Sequence, residues 1–303
     1  MTETVSGLSI LIPVFNQRVH TLVGQLAAQA AAWPGPVEID VLDDGSAIHF
    51  RVANRTLGTL PGVRYAELPA NVGRAAIRNQ LAARARHQWL LLLDNDSLLP
   101  DADFLARYAH AVRARPAASL WVGGTSYEAA PPLNPALRLR WHYGRAREMR
   151  PAAVRQRDPG GQLAINNALL QRALLARFPL NERLSGYGHE DTHFGLALAR
   201  AAIVVQHIDN PVLHNGLEDA PVFLEKSRQA VRNLAQVLRT DGLGTATRLV
   251  RAATYLRRCG LGWPARVGLS ACEPALRRNL LSAQPSLWAL DALKLLWLLQ
   301  ELG

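Results

Sequence analysis

Cysteine and lysine are both scarce in this chain of 303 residues. The two cysteines, Cys259 and Cys272, lie near the C-terminus and lack metal-ligand spacing. This pattern argues against a disulfide framework and against a metal site built on these cysteines, and it predicts free thiols in a reducing compartment. Only Lys226 and Lys294 are lysines, so arginine supplies nearly all of the basic charge.

Long uninterrupted apolar runs are also missing. Residues Met1–Gly7 contain neither a basic segment nor an apolar segment, so no secretory signal is expected. The longest apolar stretch, Leu287–Leu302, is interrupted by Asp291, Lys294 and Glu301, which argues against a membrane span. Hydrophobic residues nevertheless make up 49% of the chain, enough for the core of a large domain.

The net charge of +10 is unevenly distributed along the chain. Residues 138–183 contain ten arginines against three acids, and residues 227–303 contain eleven basic residues against four acids. No helix-turn-helix, zinc or RNA-binding signature accompanies this excess, so a nucleic acid partner is not expected. Basic helices beside an enzyme domain favour an anionic membrane surface or a diphosphate-linked lipid. An ordinary solvated surface in an arginine-rich protein is the alternative.

Short apolar runs alternate with helical patterns through most of the chain, which predicts an α/β fold with a mostly parallel central sheet covered by helices. The predicted strands are Leu8–Val14, Val37–Leu42, Val63–Leu68, Trp89–Leu93, Ser119–Thr125 and Ile203–His207. The arginine-rich segment Arg138–Gly161 is interpreted as a mobile loop. After Asp241 the pattern changes to short basic helices, so we expect a catalytic domain in residues 1–240 and a basic helical extension in residues 241–303.

Two carboxylates, Asp94 and Asp96, flank Asn95 directly after the buried strand Trp89–Leu93. Side chains at this point emerge at the carboxyl edge of the sheet, where open α/β sheets bind ligands. Crowded carboxylates repel each other unless a cation lies between them, and oxygen ligands suit a hard divalent metal. The pattern predicts a metal–diphosphate site. A polar turn that caps the next helix is the simpler alternative.

Polar clusters follow several of the predicted strands, at positions that the sheet would gather into one crevice. Any one of them alone is more often a turn than a site. They are Asp43-Asp44-Gly45-Ser46, Asn71–Asn79, Asp94–Asp96 and Gly186–Asp191.

In this order, and together with Ile12–Asn16 and Asn166-Asn167, these motifs resemble the family 2 glycosyltransferases of the GT-A fold over about residues 7–225. The segment Gly186–Asp191 resembles the glycine–aromatic–glycine–x–Glu–Asp motif of a galactosyltransferase and chondroitin-polymerase branch. The resemblance implies an inverting, metal-dependent transfer of a hexosyl or N-acetylhexosaminyl group from a UDP-sugar, as in polysaccharide biosynthesis.

The resemblance and side-chain chemistry together assign one set of residues to the nucleotide sugar. Asp44 would accept the uracil imide N–H, and Gly73 would let the backbone approach phosphate. Each of three residues has a simpler alternative role. Asp44 could form a turn, Phe15 could belong to the core, and Arg78 could lie on an exposed helix surface. The predicted donor-binding residues are Pro13, Phe15, Asn16, Asp44, Gly73, Arg78, Asp94 and Asn95.

The remaining assignments concern the metal, the catalytic base and the acceptor. Asp96 is expected to bind Mn²⁺ or Mg²⁺, and His214 matches a histidine that completes the metal shell in related enzymes, although a lone histidine is usually structural. By resemblance, Asp191 is the base and Glu190 binds sugar hydroxyls; both residues also suit a helix N-terminus. Tyr187 and Gly188 are assigned to the acceptor. Tyr187 stands where the branch often has Trp.

The predicted function is therefore glycosyl transfer from a UDP-sugar to a glycan or lipid-linked acceptor. We expect it in the cytoplasm, with peripheral contact at the inner membrane face. Two alternatives remain open: a non-catalytic carbohydrate-binding or scaffold protein, and a sugar nucleotidyltransferase. The second alternative lacks its N-terminal glycine-rich loop, because no such loop occurs in residues 8–19.

Overall fold

The structure, a computed structural model, describes residues 6–183, 190–241 and 247–303, apart from the side chains of residues 240 and 241. Its strands are β1 Leu8–Val14, β2 Val37–Asp43, β3 Val63–Glu67, β4 Trp89–Leu93, β5 Ser97–Leu98, β6 Leu120–Val122, β7 Thr125–Ser126, β8 Asn167–Gln171, β9 Gln206–His207 and β10 Val212–His214. Its α-helices are α1 His20–Gln29, α2 Ile48–Asn54, α3 Arg74–Arg84, α4 Phe104–Ala114, α5 Arg138–Tyr143, α6 Ala152–Arg155, α7 Arg172–Arg177, α8 Glu190–Arg200, α9 Ala220–Asp241, α10 Arg248–Arg258, α11 Gly262–Leu280 and α12 Leu287–Leu302.

Strands β1 to β4 are mutually parallel and stand in the order β3-β2-β1-β4 within a seven-stranded sheet that continues β8-β6-β9. Strand β8 runs antiparallel to both β4 and β6, while β9 is parallel to β6. The sheet is thus mostly parallel, as predicted. The chain order reverses between β1 and β4, which is where doubly wound sheets open a ligand crevice.

The central strands are buried on both faces because their side chains alternate between two apolar layers. In β4, Trp89, Leu91 and Leu93 belong to the core packed with α1 and α4, whereas Leu90 and Leu92 face the core with α3 and α8. This alternation follows from the two-residue repeat of a strand. It explains why the strand reads in sequence as an unbroken apolar run.

Antiparallel β8 was not predicted, and it changes how the edge of the sheet is built. In its register Asn167 lies opposite Leu93, the last residue of β4. The start of β8 therefore lies at the same edge as the ends of the parallel strands. A second sheet of three strands, in the order β5-β10-β7, pairs His214 with Ser97.

Contacts divide the chain into two compact units. Of the described residues, the first unit comprises 6–126, 149–183 and 190–216, and the second comprises 127–148, 217–241 and 247–303. In the second unit, α12 packs with α9, α10 and α11 around a core that includes Leu290, Leu293 and Trp297. This unit contains the helices predicted for residues 241–303 and also α5 and α9. The predicted domain boundary after residue 240 remains a prediction.

The interpretation of Arg138–Gly161 as a loop is wrong for part of its length. The segment contains α5, a π-helical turn at Gly144–Glu148 and the short helix α6. Arg140 is buried beside Glu148 and lies over the ring of Tyr127, so its charge is paired within the unit. The high arginine content of this segment is therefore compatible with helices, because a buried arginine can be paired within the fold. Among the described residues, no helix is long and apolar enough to cross a membrane.

Candidate functional site

The loops that follow β1 and β2 are joined by a network around Asn16. The backbone N–H of Asn16 donates to Ser46 Oγ at 2.8 Å, and its Oδ1 accepts from the N–H of Ala47 at 2.9 Å. Asn16 adopts a positive φ of 50°, which asparagine tolerates better than most residues. Phe15 beside it is 48% exposed, so it is not a core residue and its ring faces solvent.

Asp44 holds the loop before α3. Its carboxylate accepts the N–H of Val72 at 2.7 Å and the N–H of Gly73 at 3.2 Å, and only 4% of the residue is exposed. Asp43 makes the turn contact, accepting the N–H of Ser46 at 2.7 Å. Gly45 is required here, since φ is +70° and a Cβ would lie 2.7 Å from the backbone of Ala70.

Arg78 and Asp94 form a close ion pair between α3 and the end of β4. Arg78 is 3% exposed, so it is not a surface arginine, and its second terminal nitrogen donates to the carbonyl of Arg74 at 2.9 Å. Burial alone would raise the pKa of Asp94, but the guanidinium groups of Arg78 and Arg74 lower it below its usual value. Asp94 is therefore a carboxylate over the whole neutral range. Its predicted contact with the ribose or a metal-bound water remains a prediction.

Arg74 is a member of the site to which the sequence reasoning assigned no role. Its Nε donates to Glu190 Oε1 at 2.8 Å, and one terminal nitrogen lies 3.4 Å from Asp94 Oδ2. It precedes Arg78 by four residues, which places the two side chains on the same face of α3. This four-residue spacing is the sequence feature that predicts Arg74 to lie beside Arg78 in the site. Arg74 links the β4 edge to the start of α8.

The pKa of Asp191 moves in the opposite direction from that of Asp94. Burial, followed by repulsion from Glu190, raises the pKa of Asp191 to about 7 against the opposing pull of Arg78 and Arg74. Glu190 itself is buried and ion-paired with Arg74. Asp94 and Asp191 thus differ in proton affinity, because Asp94 has a guanidinium group in contact and Asp191 is buried beside another carboxylate.

Asp96 and His214 come together at the junction of the two sheets. The antiparallel pairing of β5 and β10 brings His214 Nδ1 within 3.5 Å of Asp96 Oδ2. The N–H of Asn215 donates to the Asp96 carbonyl at 2.7 Å and fixes the approach. Gly216 leaves space beside the carboxylate, since a Cβ there would lie 2.8 Å from Asp96 Cβ.

The remaining predicted site residues make fewer contacts that bear on a role in the site. Pro13 and Asn95 are partly buried at the same edge of the sheet. Asn166, from the motif before β8, donates to Thr125 Oγ1 at 2.8 Å, and its buried Oδ1 accepts no hydrogen bond from the part of the chain that the structure describes. The acceptor residues Tyr187 and Gly188 lie outside the described residues, and their assignment remains a prediction.

Comparison with known families bears on this site directly. Residues 9–166, which contain β2 to β7, all but the first residue of β1, and the loops around Asn16, Asp44 and Asp94–Asp96, match the family model described as Glycosyl transferase family 2. The chain belongs to glycosyltransferase family 2. No curated protein sequence matches the chain.

Solved structures support the fold of this glycosyltransferase. A mannosyltransferase from Pyrobaculum calidifontis, in complex with GDP-Man and Mn²⁺, has a TM-score of 0.61 at 16% identity, covering 96% of this chain and 85% of that one. Glucosyl-3-phosphoglycerate synthase from Mycobacterium tuberculosis, in complex with Mn²⁺, UDP and glucosyl-3-phosphoglycerate, has a TM-score of 0.54 at 16% identity, with 80% and 82% covered. With the sheet described above, these likenesses confirm the predicted GT-A fold.

Asp96 and His214 are two donors that would suit a divalent cation taking its other ligands from substrate and water, since no group of three such side chains occurs among the described residues. Two ligands in adjacent positions of an octahedral shell lie about 3 Å apart when each is about 2.1 Å from the metal. The 3.5 Å between Asp96 Oδ2 and His214 Nδ1 is close to that separation. One carboxylate and one imidazole leave most positions to substrate oxygens and water, and the imidazole favours Mn²⁺ over Mg²⁺.

Replacing Gly216 with alanine tests whether the space beside Asp96 matters. The added methyl would lie 3.2 Å from Asp96 Oδ2 and displace that carboxylate. We expect Mn²⁺ affinity to fall about tenfold, as when residues that orient metal ligands are changed. Electron paramagnetic resonance of free Mn²⁺ in titrations with UDP measures this.

The matched control for that variant is Gly24→Ala in α1, where nothing lies within 4 Å of the added Cβ. It should bind Mn²⁺ as the unmodified protein does. Equal affinities for the two variants would show that Asp96 is not held against Gly216 as described.

Proposed function

We propose that this glycosyltransferase transfers a sugar from UDP to an acceptor hydroxyl with inversion at the anomeric carbon, dependent on a divalent metal. Its main support is the set of side chains at the carboxyl edge of the sheet. They include two side chains that could bind a metal together, one carboxylate whose pKa is lowered, and one carboxyl group whose pKa is raised. A non-catalytic scaffold gains nothing from these differences in charge state. Those residues are Asp96 with His214, Asp94 and Asp191.

The uridine ring is assigned to the part of the sheet edge near Asp44 and Phe15. Both oxygens of Asp44 already accept loop amides, yet each carboxylate oxygen keeps a second lone pair for the imide N–H of uracil. Phe15 offers an exposed ring for stacking at the same edge. Competition by UDP but not by GDP or CDP would support this choice of base.

The diphosphate is assigned to the region between Arg78 and Asp96. When bound at Asp96 and His214, a divalent cation would neutralise the negative charge that grows on the departing UDP. Arg78 and Arg74 add fixed positive charge to the same crevice. Gly73, with a φ of +94°, forms the turn before α3, and it has no side chain to keep the start of this helix away from the diphosphate.

The transfer itself is a single displacement. The acceptor oxygen attacks the anomeric carbon, its proton passes to a carboxylate oxygen of Asp191, and the bond between the anomeric carbon and the phosphate oxygen breaks with its electron pair on UDP. Glu190, whose Oε1 accepts from Arg74 Nε at 2.8 Å, is the proposed contact for sugar hydroxyls. A base with a pKa near the working pH is the most effective at neutral pH.

Incubation of the purified protein with a panel of UDP-sugars and Mn²⁺ tests the proposal through release of UDP. Slow hydrolysis of at least one UDP-sugar, accelerated by an acceptor, is the expected outcome. A protein that releases no UDP from any donor and gains no thermal stability from UDP and Mn²⁺ would instead be the carbohydrate-binding scaffold.

The pH dependence follows from the pKa of Asp191. Because Asp191 must be ionised to accept the proton, kcat/KM should fall about tenfold per pH unit below a pKa of about 7 and level off above it. Initial rates at saturating Mn²⁺ between pH 5 and 9 measure this. A rate that stays constant from pH 5 to pH 8 would rule out Asp191 as the base.

The acceptor is proposed to be a glycan or a lipid-linked molecule, reached from the cytoplasmic side of the membrane. Both cysteines, Cys259 and Cys272, are exposed free thiols, which suits a reducing compartment. Tyr187 and Gly188 remain the proposed acceptor contacts. Crosslinking of a photoreactive acceptor to residues 184–189 would test them.

A further inference from the structure

The two helices α10 and α11 carry side chains that the proposed transfer reaction does not use. They follow each other through the short connection Cys259–Leu261 and pack together in the second unit. Val250 and Ala253 of α10 and Leu276 of α11 are buried in that unit's core. The opposite faces of both helices are open to solvent.

The solvent face of α10 is a stripe of basic and aromatic residues. Its members recur at intervals of three, four and three residues, which places them on one side of a helix. They are Arg248, Arg251, Tyr255 and Arg258, all exposed. Thr247 caps this helix by accepting the N–H of Val250 at 3.3 Å, so the stripe stands on a defined helical turn.

Large apolar side chains continue the surface from α10 into α11. Tyr255 and Trp263 are each 68% exposed, and Leu261 and Val267 are 49% and 48% exposed. Single exposed hydrophobic residues are ordinary, but four large ones within thirteen residues of chain are an unusual concentration, which indicates an interaction surface. A tryptophan is a costly side chain to leave in water.

Charge selects the kind of partner. Residues 242–272 contain five arginines and no aspartate or glutamate. A second copy of the chain would set this positive patch against an identical one, which is unfavourable. Arginines beside tryptophan, tyrosine and leucine are instead the composition of helices that lie in the headgroup layer of anionic membranes.

We propose that the face of α10 and α11 formed by Arg248, Arg251, Tyr255, Arg258, Leu261, Trp263 and Val267 docks onto an anionic phospholipid bilayer. The arginines contact headgroup phosphates, and Trp263 and Leu261 enter the boundary between headgroups and acyl chains. The biological purpose of this docking rests on the proposed function: membrane binding would hold the transferase where a lipid-linked acceptor lies. Binding to vesicles is measured without nucleotide, so the two proposals can fail separately.

Co-sedimentation with vesicles tests the surface. The full-length protein should bind vesicles that contain phosphatidylglycerol at about 50 mM salt, release largely at about 500 mM salt, and ignore pure phosphatidylcholine. The variant R251E/R258E should lose about 25-fold or more in partition, at about fivefold per arginine. R113E/R157E makes the same change in net charge at exposed positions of the first unit and should bind as the unmodified protein does.

A second measurement reports insertion rather than attraction. Because Cys259 and Cys272 are the chain's two cysteines, the C272S variant leaves Cys259, in the connection between the helices, for an environment-sensitive fluorophore. Its emission should shift to the blue on anionic vesicles, and W263S should reduce that shift without altering net charge.

Several outcomes would overturn the membrane proposal. In co-sedimentation, the protein would bind neutral and anionic vesicles equally, or R251E/R258E and R113E/R157E would lose vesicle binding to the same extent. In the fluorescence measurement, the emission of the fluorophore at Cys259 would not shift on anionic vesicles. Tighter binding to single-stranded RNA than to vesicles at the same salt would also contradict the proposal. Affinity for UDP and Mn²⁺ should be the same in R251E/R258E as in the unmodified protein, which keeps this test apart from that of the transferase.

Discussion

Replacing Asp191 with asparagine should lower kcat about 10²- to 10⁴-fold, the usual contribution of a general base. Asparagine keeps the shape of the side chain but cannot take the acceptor proton. Binding of UDP and Mn²⁺ should change little, because the proposed role of Asp191 is confined to the acceptor. Steady-state kinetics and calorimetric titration with UDP separate the two effects.

A stability measurement distinguishes this outcome from damage to the fold. The pKa of Asp191 in the folded protein is about 7, above its value in the unfolded chain, so the folded state holds the extra proton between about pH 4 and pH 7. The free energy of unfolding therefore falls as pH rises through that window, and the cost of the buried charge is fully present above it. Asp191→Asn should be more stable than the unmodified protein at pH 8 in metal-free buffer.

The control for this variant is Asp103→Asn, at an exposed position before α4 whose side chain makes no capping hydrogen bond. It should leave kcat unchanged. Full activity in Asp191→Asn would assign the base to another group.

Replacing Asp96 with alanine should lower kcat/KM by roughly 10³-fold or more, because the charge that develops on the leaving UDP would lose its stabilisation. The variant should also lose its response to Mn²⁺, since His214 alone remains of the pair that lies 3.5 Å apart. Rates measured across a Mn²⁺ titration, with Asp103→Ala as the exposed control, provide the test. If Asp96→Ala keeps a normal Mn²⁺ response, the metal lies elsewhere.

The sheet could be predicted from sequence because its strands carry a strong local signal. The run Trp89–Leu93 is apolar throughout, and it is buried on both faces as expected. Strand β8 gave a weaker signal, since Asn167 and Gln171 at its ends are polar. Its antiparallel pairing with β4 is a tertiary feature that no short window of sequence contains.

The site was predictable by residue type and less so by contact. Asp44, Asp94 and Asp96 could be placed at one edge because each follows a parallel strand. Contacts made at long range, such as Arg74 Nε with Glu190 Oε1, 116 residues apart and at 2.8 Å, depend on how α3 and α8 pack on the sheet. The burial of Arg140, whose charge is paired with Glu148, likewise cannot be predicted from amino-acid composition.

Calorimetric titration of UDP, with Mn²⁺ and again with a chelator, tests most directly the idea that this edge of the sheet holds a nucleotide diphosphate through a divalent ion. We expect one UDP per chain, bound at least about tenfold more tightly with Mn²⁺, a difference of about 1.4 kcal/mol. Identical affinities in the two buffers, or no heat of binding in either, would contradict the account.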